Sequence, residues 1–141
     1  DGTNVDIYTS GAFFVVNGNA LSKTTPTAEA TAAAVTYTAA QMLLGMILRD
    51  PNGAARSDVT PTAAALVAAI KRRKVGSTFS LIIRNTADAA ETITMTAGTG
   101  VTLSGTMTIA QNNSKLFLVR LDNITSGAEA ATMYSVGTFV H

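Results

Sequence analysis

The sequence predicts an all-β fold, a jelly-roll-like antiparallel β-sandwich of about eight strands with one short helix near residues 60–72. Three observations predict it. From Phe79 onward apolar and polar residues alternate, and turn residues recur at short intervals, the pattern of strands that bury one face. Only the stretch from Thr62 to Ile70 has helix-forming composition over several turns. The chain, 141 residues long and without cysteine, has the size of one domain whose core is held by packing or assembly and by no disulfide.

The expected division is an extended N-terminal arm with one strand, residues 1–32, followed by a single β-sandwich domain, residues 33–141. In the arm, Phe13, Phe14, Val15 and Val16 form an apolar run closed by the turn residues Asn17, Gly18 and Asn19. Pro26 bars its neighbourhood from a central ladder position. Residues 33–48 read as a strand pair or one long bent strand with a bulge at Gly45. Arg49, Asp50, Pro51, Asn52 and Gly53 read as turn chemistry. The helix is expected to start with Thr60 as N-cap and Pro61 at the first position, to carry Lys71, Arg72, Arg73 and Lys74 in or just past its last turn, and to stop at Gly76. Beyond it, Ile93 and Met95 point inward between threonines. Val101, Leu103, Met107 and Ile109 share a face with a bend at Gly105, and Phe117, Val119 and Leu121 line the inside of the next strand. The last strand runs through Thr132 to Val136.

Composition narrows the function. Hydrophobic residues make up 47% of the chain and charged residues 13%, against about 25% charged in a typical soluble domain. A surface so poor in charge is expected to be covered by partners or by copies of itself. A net charge of +1 argues against a protein that grips phosphates. No apolar run reaches the roughly 20 residues of a membrane-spanning helix, and the first residues lack the basic stretch and apolar core of a signal peptide.

Groups that carry chemistry are scarce. The single histidine is His141, expected to be exposed and without an orienting partner, so neither a catalytic imidazole nor a zinc site of ordinary ligands is expected. Asp50, Asn52 and Asp58 supply oxygen atoms but lack the spacing of a calcium loop, and turn or cap duty is expected of them. Gly98 and Gly100 precede no helix, which removes a phosphate-cradling reading. The cluster Lys71, Arg72, Arg73 and Lys74 has three readings: a solvated helix end, a contact to an acidic protein surface, or a nucleic-acid contact. The last is opposed by the near-neutral charge and the lack of interleaved aromatics. The residues therefore describe a structural protein with no catalytic, cofactor-binding or metal-ligating set.

The run from Val101 to Lys115, with Phe117 to Arg120, Val136 to Thr138, Asp50 to Arg56 and Thr60 to Val67, resembles the capsid cement (head decoration) proteins of tailed phages, those of short-tailed Bordetella phages in particular. The resemblance spans roughly residues 48–141 and lies in turns and strand faces. It implies a jelly roll on the outer surface of an icosahedral head, clamping neighbouring major capsid protein subunits, with no cofactor, nucleic acid or membrane as partner. Self-association is expected with it, a dimer first and a trimer as the alternative. The partner-contact residues expected are Phe13, Phe14, Val15 and Val16, as a hook or as an ordinary edge strand of their own sandwich, and the basic cluster Lys71, Arg72, Arg73 and Lys74. Alternatives from other classes are a filament subunit or an adhesion (carbohydrate-binding) module. The absence of Trp and the scatter of Tyr8, Tyr37 and Tyr134 weaken the sugar reading.

Overall fold

The computed structural model describes Phe13–Val16, Asn19–Ser22 and residues 24–141, the first two segments as backbone only. In chain order the elements are β1 (Phe13–Val16), β2 (Asn19–Ser22), β3 (Thr25–Glu29), α1 (Ala39–Leu43), β4 (Gly45–Arg49), β5 (Arg56–Val59), α2 (Ala63–Ala69), β6 (Thr78–Asn85), β7 (Ile93–Thr96), β8 (Val101–Ser104), β9 (Thr108–Ile109), β10 (Asn113–Asn123) and β11 (Ala130–Val140). The protein is mostly β. A six-stranded sheet runs β3-β4-β6-β10-β11-β8, a three-stranded sheet runs β5-β7-β9, and β1 pairs with β2 as a hairpin.

Alternation builds the large sheet. Along β10 the odd positions Lys115, Phe117, Val119 and Leu121 are buried, while Leu116 and Leu118 are half-buried and Arg120 is exposed. The same inner face carries Ile47, Leu81, Ile83 and Met133. Against it pack Met42 of α1, Leu66 and Val67 of α2, and Ile93, Met95 and Ile109 of the small sheet, so one core lies between the two layers.

Four expectations need correction. The sandwich is not antiparallel throughout, because β3–β4, β4–β6, β5–β7 and β11–β8 are parallel pairs. Parallel neighbours require a crossover, and α1, α2 and the exchange of chain between the layers supply it. Periodicity reveals that a segment is a strand but not which strand lies beside it. Second, the division at residue 32 does not hold: Thr25–Glu29 is an edge strand of the large sheet, with Pro26 tolerated there because the edge demands fewer amide donors. Third, residues 39–43 form a helix where a strand was expected. Thr38 caps it: its Oγ1 accepts from the Gln41 amide at 3.1 Å, and Gln41 Oε1 accepts from the Thr38 amide at 2.8 Å, a reciprocal capping box. Fourth, α2 starts two residues late and stops before the basic cluster. Thr62 is its cap, whereas the Thr60 hydroxyl is buried and accepts from the Gly98 amide at 2.9 Å.

Gly98 and Gly105 have structural duties. A Cβ on Gly98 would stand 2.5 Å from the Thr60 carbonyl oxygen, so only glycine lets these loops touch. Gly105, at φ +93°, turns the chain out of β8 and across to β9 in the other layer. The bend foreseen there is a change of sheet.

Candidate interaction surface

The strongest polar cluster of the molecule is internal. Arg49, at the end of β4, and Asp58, in β5, are both fully buried and form an ion pair at 2.8 Å from Nε to Oδ2. The Tyr37 hydroxyl donates to the same Oδ2 at 2.9 Å, and the Val35 amide donates to Oδ1 at 3.1 Å. Arg49 places its remaining donors on the carbonyls of Thr31, Ala33 and Asp50 at 2.6–2.8 Å and on Asp58 Oδ1 at 3.3 Å. All five guanidinium N–H groups are thereby used. Burial opposes the Arg49 charge, but the Asp58 hydrogen bond and charge outweigh it and hold the guanidinium above its ordinary pKa. Burial, then the Asp58 charge, pushes the Tyr37 phenol far above its ordinary value. Nothing in the cluster is left to meet a substrate. It ties the crossover between β3 and α1 to both layers.

Other candidate groups disperse. Asp50 accepts from the Asn52 amide at 2.9 Å, as turn duty requires, while Asp58 belongs to Arg49 and is buried in a strand. The oxygen atoms weighed for calcium thus do not converge. Among the described residues no group of three metal-ligating side chains occurs. His141 is exposed but not without a partner. Its Nε2 lies 2.5 Å from Ser114 Oγ, and its amide donates to the Asn112 carbonyl at 2.8 Å, a clasp at the end of β10 and β11. Lys115 is buried and donates to the Thr106 carbonyl at 2.7 Å, and burial lowers its pKa.

The outer face of the large sheet carries a central apolar strip. Register places Pro26, Met46, Ile82, Leu116 and Gly137 in one rung across five strands. With neighbouring strands about 4.8 Å apart, that rung is about 20 Å long. Leu48, Leu118, Tyr134 and Phe139 flank it on the same face. None belongs to the core cluster or packs against it. The strip is flanked on the same face by Thr78, Ser80, Ser114, Thr132, the exposed Arg84, and Arg120 in an ion pair with Asp122 at 2.7 Å.

The two segments expected to contact partners lie in separate elements. Phe13, Phe14, Val15 and Val16 are β1, paired with Asn19–Ser22; their side chains fall outside the described part of the structure. Lys71, Arg72, Arg73 and Lys74 form an exposed loop after α2, with Arg72 left-handed at φ +55° and exposed Val75 beside them. Among the described residues none of the four joins an ion pair. The loop is anchored by the Gly76 amide to the Leu121 carbonyl at 2.8 Å. Sequence reading missed the outer rung because half-exposed apolar residues on the second face of a strand look like core. No family model, curated protein or solved structure matches the chain.

Proposed function

We propose that this protein is a structural cement subunit that binds the outside of an icosahedral phage head and clamps neighbouring major capsid protein subunits. One observation carries most weight: an apolar rung runs in register across the outer face of the large sheet of a chain with few charges. A free monomer gains nothing from such a face, whereas a subunit that docks recovers its burial at about 25 cal/mol per Å². The hook Phe13 to Val16 and the basic loop at residues 71–74 are the further contact candidates, the loop toward an acidic patch. The jelly-roll kinship of this reading rests on the sequence resemblance alone, since the sheets contain parallel pairs.

Particles with and without the protein, challenged by heat or low salt, provide the test. Decorated particles are expected to survive conditions that open bare ones, and equal survival refutes the clamp. Micrographs of the assembled protein showing open fibres would favour a filament subunit instead.

A further inference from the structure

We propose that a second copy of this chain pairs edge to edge with the free half of β11, residues 136–140, in antiparallel register about a two-fold axis centred on Thr138. β11 runs along β10 over its whole length, but on its other side β8 pairs only with Ala131 to Tyr134. Gly105 lies against Ser135 and then carries the chain to the other layer, so from Val136 onward one side of β11 has no strand beside it among the described residues.

The register shows which backbone groups that side holds. The His141 amide donates to the Asn112 carbonyl, directly opposite it. Bonded and non-bonded positions alternate in an antiparallel pair, so Phe139 and Gly137 also turn their amides and carbonyls toward β10. Thr138 and Val140 turn theirs the other way. Thr138 is exposed along this half, and the other exposed side chains are apolar: Val136 is 58% exposed, Phe139 54% and Val140 79%.

The two margins of the sheet differ in how they are guarded. Soluble proteins blunt free edges with proline, charge or brevity. At the far margin, β3 carries both Pro26 and Glu29 within five residues. Residues 136–140 read Val-Gly-Thr-Phe-Val, with neither charge nor proline.

The stretch also complements itself. Centred on Thr138, it sets Thr138 against the partner's Thr138, Val140 against the partner's Val136, and Gly137 against the partner's Phe139. Threonine pairs and apolar pairs are favourable cross-strand neighbours, and the large ring meets the residue with no side chain. The outer apolar rung ends on Gly137 and would continue onto the partner's Phe139, which doubles the face offered to a third surface. The inference deepens the assembly reading and rests on it only for the expectation of self-association. The contact itself needs no particle.

Sedimentation equilibrium of the full chain over a concentration series, with amide exchange followed by NMR, tests it. A concentration-dependent dimer is expected, in which the Thr138 amide is protected and loses that protection on dilution while the Phe139 amide keeps its own. Val140→Lys, at an exposed side chain, and Thr138→Pro, which removes an amide unused within the subunit, should each weaken the dimer by roughly tenfold or more with the unfolding temperature kept. A wild-type chain monomeric throughout the series, a Val140→Lys dimer of unchanged strength, or Thr138 protection independent of concentration each overturns the proposal. Binding of the same proteins to bare particles is scored separately. A wild-type dimer that fails to bind refutes the cement reading alone, and a monomeric wild type that binds refutes the edge pairing alone.

Discussion

In the core between the two sheets, Arg49 uses all five of its donors and Asp58 accepts on both carboxylate oxygens, one of them from the Tyr37 hydroxyl. On the outer face, Met46, Ile82, Leu116 and Leu118 form a half-exposed apolar strip bordered by polar side chains such as Ser80, Arg84 and Arg120. Here the buried polar groups are consumed in fixing the fold, and an apolar strip is left on the outer face. Two adjacent residues state the contrast: Phe117 is fully buried, and Leu116 faces out.

The largest expected effect falls on the inner side. Asp58→Ala would strand a buried guanidinium and should cost about 3–5 kcal/mol in denaturant unfolding. Arg49→Met with Asp58→Leu removes both charges and should recover much of that loss, because desolvating the pair offsets much of its attraction. If Asp58→Ala costs less than about 1 kcal/mol, the pair is not the lock between layers.

Alkaline pH gives a second way to sharpen the contrast. The folded state holds the Tyr37 proton far more tightly than the unfolded chain, whose phenol titrates near pH 10. The unfolded state therefore binds fewer protons above that pH, and stability should fall as pH rises through it. Buried Lys115 acts in the opposite sense. Its lowered pKa is a cost at neutral pH that is relieved as pH rises from the folded value toward the ordinary one near 10.5. Tyr37→Phe should cost about 1 kcal/mol at neutral pH and flatten the alkaline fall. An unchanged fall in Tyr37→Phe would assign it to other groups.

Legibility followed the range of the interactions. Strand faces at Ile93 and Met95, or at Phe117, Val119 and Leu121, follow from alternation, because burial of one face is written locally. The apolar run at residues 39–43 misled because its helix is decided by a capping box two side chains wide, Thr38 with Gln41. The Arg49–Asp58 pair lay hidden because Arg49 adjoins the turn at residues 50–53 and reads as part of it, and because nothing local shows that Asp58, one sheet away in β5, is its partner. The free half of β11 was illegible in principle, since an edge exists only once β8 is known to stop at Ser104.

The smallest expected effect on stability carries the most about function. Leu116→Ser and Ile82→Ser remove apolar atoms from side chains that are half-exposed and touch no core residue. Each should lower unfolding free energy by about 0.5–1 kcal/mol, near the ordinary range for surface changes. Both should nevertheless reduce binding to particles sharply, because in a docked state the same atoms lose their water. The two readouts must separate for the outer rung to be a contact surface. Losses of about 3 kcal/mol in the isolated protein would instead mark the rung as internal packing, covered by another part of the same chain. The contrast between the two faces would then disappear. Unchanged stability with unchanged binding would move the contact to Phe13 to Val16 or to the basic loop at residues 71–74, and charge reversal there, read as a change in the salt dependence of binding, would be the next measurement.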